Sequence, residues 1–209
     1  MRIFTTAFLI TLAPLATASA ASVHTDVSSF LDSSTNVALG DFSDVDDGLA
    51  PWVGLDFTSE SGYALNINGY YDRLFNQDGV ISTNIAGDFI VIQFTGDDVS
   101  AVGGNLWGTD VDFGAISASL SVVFSDGAAF EFLTSSPDAF LGYISDESLD
   151  WLAIGVNTTE DGEDDALTWA TLDNLLVGQN TSNVTAVPLP APGLLAFAGL
   201  ATLTTRRRR

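Results

Sequence analysis

Cysteine and lysine are both missing from this chain of 209 residues, and histidine and methionine occur once each. Without thiols there are no disulfide staples, no thiolate nucleophile, no zinc–thiolate site and no haem attachment, so an exported domain of this sequence must hold together by burial. A serine–histidine–acid triad would depend on His24, which lies a few residues from the start of the mature chain, where order is poorest. Positive charge is almost absent as well. The six arginines are Arg2, Arg73 and Arg206 to Arg209, whereas all 27 acidic residues fall between Asp26 and Asp173. In that stretch 27 minus 1 leaves 26 net negative charges. A surface of this kind repels nucleic acid and anionic head groups, and it is screened by salt or by divalent cations. The charge is accordingly read either as solubility in a saline setting or as a cation-binding role.

The two ends are apolar. Met1 and Arg2 lead into an uncharged run over residues 3–16, with Ala18, Ser19 and Ala20 beyond it. A basic start, an apolar middle and a small-residue site describe a secretory signal peptide cut after Ala20. At the other end residues 187–205 are nineteen positions without charge, followed by Arg206, Arg207, Arg208 and Arg209. A membrane helix needs about 20 apolar residues, and a terminal arginine cluster stops it with that end in the cytoplasm. Val187, Pro188, Leu189, Pro190 and Ala191 open this segment. It resembles the VPLPA-CTERM type of the PEP-CTERM sorting signals of Gram-negative bacteria. The resemblance implies an exosortase-type membrane protease as partner, transient anchorage in the inner membrane, cleavage near the motif, and delivery to the cell surface or the extracellular matrix. Three segments are therefore expected: a signal peptide at 1–20, an ectodomain at 21–185, and a sorting signal with its transmembrane helix at 186–209.

The ectodomain is the right length for one domain with a sizeable core. Ile116, Ala118, Leu120, Val122 and Phe124 alternate with a mainly serine row, the period-two pattern of a strand with one buried face. Asp126 and Gly127 then close a hairpin into residues 129–133. Residues 62–68, 89–94, 140–144, 151–156 and 168–177 read as further strands. Short helical pieces are expected near 27–31 and 71–75. Strands separated by Gly-, Asp- and Ser-rich turns predict an all-β fold, an antiparallel β-sandwich. Trp151 and Trp169 are expected in its core.

Phe94 to Gly96, Val99 to Gly103, Phe124 to Gly127, Phe140 to Ile144 and Leu172 to Leu175 occur in the order seen in ectodomains that travel with this class of sorting signal. The domain resembles those jelly-roll, galactose-binding-like modules. Three acidic clusters invite a metal: Asp41, Asp44, Asp46 and Asp47 before Gly48; Asp110 and Asp112 before Gly114; and Asp161, Glu163, Asp164 and Asp165 around Gly162. Calcium takes six to eight oxygens from loops of this type, although none has the EF-hand spacing. Resemblance to carbohydrate-binding jelly rolls implies a structural Ca2+ held by Asp44, Asp46 and Asp47 with Asp173. Trp52, Tyr70, Tyr71 and Trp107 sit in Gly- or Pro-containing segments and are candidates for stacking on sugar rings, against the competing reading that aromatics are core. Arg73 either pairs with an acid or faces an acidic sugar. A carboxylate pair able to hydrolyse a glycosidic bond needs a partly buried acid, which a sequence does not display. The expected function is a non-enzymatic, exported surface or matrix protein, structural or adhesive among polysaccharides; a calcium-stabilised carbohydrate-binding module is the alternative, and a polysaccharide hydrolase the weaker one.

Overall fold

A computed structural model describes residues 21–57, 61–96, 98–157 and 167–181. The expected signal peptide, the Val187 to Ala191 motif, the expected transmembrane helix, the terminal arginines and the acidic cluster at 161–165 lie outside the described residues. Among the described residues no helix is long and apolar enough to cross a membrane.

Among the described residues, fifteen strands and one helix follow in chain order. They are β1 (Ser22–His24), α1 (Val27–Ser33), β2 (Ser34–Gly40), β3 (Gly48–Ala50), β4 (Val53–Phe57), β5 (Tyr63–Gly69), β6 (Leu74–Gln77) and β7 (Val80–Thr83), then β8 (Phe89–Gly96), β9 (Ala101–Thr109), β10 (Ala115–Ile116), β11 (Ala118–Phe124), β12 (Ala129–Thr134), β13 (Phe140–Ile144), β14 (Trp151–Val156) and β15 (Trp169–Asn180). All pairings are antiparallel. One sheet of nine strands runs β1-β13-β9-β15-β7-β6-β3, with β10 added to β9 and β2 added to β15. The other runs β12-β11-β14-β8-β5-β4. The inward rows of both sheets meet in one core, with Tyr63, Leu65 and Ile67 of β5, Ile90 and Ile92 of β8, and Leu120 and Val122 of β11 facing Val102 and Leu106 of β9, Leu141 of β13 and Leu172 of β15. Each such side chain contributes on the order of 1.5–3 kcal/mol on burial. The expected antiparallel β-sandwich is therefore present.

The serine-alternating strand forms as its pattern dictates, with Ala118, Leu120, Val122 and Phe124 buried and Ser119 and Ser121 turned outward. It does not begin at Ile116, however. Ala115 and Ile116 pair with Thr109 and Gly108 in the nine-stranded sheet, and the chain changes sheets at Ser117. The hairpin closes as expected on Gly127, whose φ of 91° suits a residue without Cβ, while Asp126 accepts the N–H of Ala128.

Helix α1 forms over 27–33, capped by Asp26, whose carboxylate accepts from the N–H groups of Ser28 and Ser29. Its buried Phe30 packs edge-on to Phe140 and covers the outer face of the nine-stranded sheet near Ala101, Ile144 and Leu176. The second expected helix is absent. Residues 71–73 belong to a turn, and Leu74 to Gln77 pair with Val80 to Thr83 as a hairpin. Strand β9 has the opposite history, since its sequence AVGGNLWGT looks like a loop. Its glycines answer to crowding: a Cβ on Gly103 would stand 2.7 Å from the Phe140 ring, and one on Gly108 would collide with the Cβ of Ala118.

Candidate functional site

The outer face of the six-stranded sheet carries side chains that a core would ordinarily claim, and no described helix or strand covers it. Strand parity selects them. In β14, Leu152, Ile154 and Val156 point inward, which turns Trp151, Ala153 and Gly155 outward. In β8, Ile90 and Ile92 are buried, leaving Phe89, Val91 and Gln93 on the outer face. In β5 the outward row is Ala64, Asn66 and Asn68, and in β4 it is Gly54 and Asp56.

Trp52 lies over this face at the edge strand. A Cβ on Gly54 would stand 2.6 Å from its indole, so the ring rests where Gly54 has no side chain. Phe89 rests on Gly155 of the neighbouring strand in the same way. Trp52 is 58% exposed, Tyr70 64%, Tyr71 76% and Trp151 38%. Tyr70 meets Tyr71 edge to face at 4.6 Å and Phe89 at 6.4 Å. Between this aromatic corner and Trp151 lies an open depression of about 580 Å³, floored by Val91, Ala153 and Val123 and bordered by Gln93.

The corner is held from beneath. Asp88 is 1% exposed, and its carboxylate accepts from the N–H of Tyr71 at 3.1 Å, of Asp72 at 3.3 Å and of Phe89 at 2.8 Å. Backbone donors directed at one buried carboxylate leave the Tyr70–Tyr71 turn little freedom. Residues 74–77 are drawn into a strand instead of a helix by their pairing with Val80 to Thr83.

A row crosses the strands beside the depression. Gly54 pairs with Asn66, Asn66 with Gln93, and Gln93 with Trp151, so Trp52, Asn66, Gln93 and Trp151 form a line of ring, amide, amide and ring. Three inter-strand spacings make it roughly 14 Å long. On the same face stand Asp56 and, further along, Glu131, which accepts from the Asn157 amide.

Of the four aromatic residues singled out from sequence, Trp52, Tyr70 and Tyr71 are thus on this face. Trp107 is not. It is 5% exposed on the outer side of the nine-stranded sheet, where it lines a cavity of about 190 Å³ with Gln77, Val80 and Phe113. Phe113 lies over that region in a loop closed by Asp110, which accepts from the N–H groups of Asp112 and Gly114, and it stacks on Phe75 at 4.9 Å. Trp151, expected in the core, belongs to the exposed face; Trp169 is half-buried.

The structure does not assemble Asp44, Asp46, Asp47 and Asp173 into a cage. Among the described residues no three His, Asp or Glu side chains group in a way that would hold a metal ion. Local hydrogen bonding explains the placement. Asp47 accepts from the Asp78 N–H, bracing one loop against another. Asp173 accepts from the Asn174 N–H at 2.6 Å and its side-chain amide at 3.0 Å, clamping a bulge in which Asn174 has φ of 50°. Arg73 is exposed next to Asp72, whose carboxyl is held below its ordinary value first by the Asn84 amide and then by the backbone N–H and charge of Arg73.

No family model and no curated protein matches the chain. Among solved structures it is similar to a family 29 carbohydrate-binding module at 12% identity and a TM-score of 0.35, over 73% of this chain and 99% of that one. It is also similar to a DUF4465 family protein from Bacteroides ovatus at 9% identity and a TM-score of 0.30, over 75% of this chain and 98% of that one. Neither likeness bears on what this chain binds.

Proposed function

We propose that the chain is an exported, jelly-roll-type surface protein that holds polysaccharide on the outer face of its six-stranded sheet, as a structural or adhesive component and without catalysis. The observation that carries the reading is the uncovered aromatic face itself. Trp52, Tyr70, Tyr71 and Trp151 are large rings exposed together on rigid strands and a pinned turn, next to amides that donate to and accept from hydroxyl groups. Apolar sugar faces stack on such rings, and amides orient the hydroxyls around them. The secretory start and the Val187 to Ala191 motif support export through an exosortase-type system, with the domain then presented outside the cell.

The test is a glycan array followed by affinity electrophoresis of the purified chain. Saturable binding is expected, weakened roughly tenfold by Trp52→Ala or Trp151→Ala, with the unfolding midpoint nearly unchanged because exposed substitutions away from special features cost little. Absence of any saturable preference would defeat the proposal.

A further inference from the structure

The charge around the aromatic face narrows its ligand. We infer that the site, taken as the polysaccharide-binding face proposed above, accepts uncharged polysaccharide laid across the strands from Trp52 to Trp151, and rejects acidic polysaccharide.

Three observations lead there. The row of Trp52, Asn66, Gln93 and Trp151 contains only neutral side chains, and the two amides sit on adjacent strands between the rings. A linear chain following that line meets a ring, two hydroxyl-reading amides and a second ring. Among the described residues, the charged side chains that strand parity turns to this face are of one sign: Asp56 on β4, two residues from Gly54, and Glu131 on β12, further along the face. These carboxylates accept hydrogen bonds from sugar hydroxyls but face any uronate, sulfate or phosphate group with like charge, which costs binding and slows encounter. Finally, recognition of an anionic chain needs cations, and the ectodomain has one arginine and no lysine. That arginine, Arg73, stands beside Asp72, off the row. The row starts with Trp52 at the edge strand β4 and stops short of the other edge, with two further strands, β11 and β12, beyond Trp151, and no described strand or helix crosses it. A long chain therefore crosses it without needing a terminus.

The experiment is affinity electrophoresis of the full chain in gels containing hydroxyethylcellulose, konjac glucomannan or alginate, at low and high sodium chloride. Retardation by at least one neutral polymer, reduced roughly tenfold in strength by Trp52→Ala and by Gln93→Ala, with no retardation by alginate at low salt, is the expected result. Retardation by alginate as strong as by the neutral polymers, and lost in Trp52→Ala, would overturn the charge argument while leaving the polysaccharide-binding face standing. Retardation by none of the three would overturn both. High salt separates the cases further, because a neutral ligand stacked on rings should hold its affinity as charges are screened.

Discussion

Asp88 and Asp126 show how single carboxylates are used in a chain with so many. Asp88 gathers the donors of the Tyr70–Tyr71 corner. Asp88→Ala is expected to lower stability by about 2 kcal/mol in urea unfolding, since buried N–H groups lose their acceptor, and to weaken glycan retention along with it. Asp126 closes the hairpin and also reaches the opposite sheet, accepting from the Tyr143 hydroxyl at 2.7 Å and the Ser145 hydroxyl at 2.8 Å. Desolvation pushes the Asp126 carboxyl up, but the Ala128 N–H with the Tyr143 and Ser145 hydroxyls outweighs it and holds it below 3.8. Tyr143 is pushed up from 10.0 to about 12, by burial and then by Asp126. The signs follow from linkage: Asp126 stabilises above its ordinary value and loses that contribution as pH falls, whereas Tyr143 contributes fully below pH 10 and is lost as pH rises toward 12. Urea midpoints across pH should fall at both extremes, and Tyr143→Phe should flatten the alkaline limb at a cost of about 1 kcal/mol near neutrality. In the sequence, Trp52, Tyr70 and Tyr71 stood out by their loop setting. Trp151 reads as core by its size, but parity points the other way: the Leu152, Ile154, Val156 row is more apolar than the Trp151, Ala153, Gly155 row, and only one of the two faces inward. Nothing in the sequence marked Asp88 among its many acidic neighbours, because burial is a property of the fold.

At the level of elements, legibility followed contrast between the two faces of a strand. Strand β11, with serine on one side and apolar residues on the other, was plain; β9, buried for almost its whole length, carries no alternation and has glycines that mimic a loop. The 71–75 segment, with Tyr71, Leu74 and Phe75 around two charged residues, fits a helix or a short strand equally, and pairing with β7 decides it. The edge strand β4 depends on its absent side chain at Gly54. Gly54→Ala should displace the Trp52 indole and reduce polysaccharide retention while leaving urea unfolding close to that of the parent. Helix α1 is a patch on the opposite sheet rather than a third layer. Phe30→Ala, which empties its one buried contact, should cost about 3–5 kcal/mol in urea unfolding and leave glycan binding intact, because the two faces lie on opposite sides of the sandwich.

For the molecule as a whole, the 26 net negative charges between Asp26 and Asp173 repel one another in dilute buffer. Sodium chloride is expected to raise the unfolding midpoint. Calcium at matched ionic strength discriminates further: a rise beyond that of sodium chloride would mean a cation bound to the folded state, and equal rises would mean screening alone. Several of the acids are already occupied as turn and bulge clamps, Asp41, Asp47, Asp110 and Asp173 among them, which the clusters did not disclose as sequence.

The position of β15 sets the timing of folding. The last of the described strands sits in the interior of the nine-stranded sheet, paired with β9 along one side and with β7 and β2 along the other. Until residues 169–180 arrive, β2 and β7 have no partner linking them to β9, and the sandwich has no continuous second wall. Early strands must wait for a late one, the long-range closure that slows β-folds. For the export proposed above, that delay would keep the chain open while it is threaded across a membrane, the sandwich closing only once β15 has emerged on the far side.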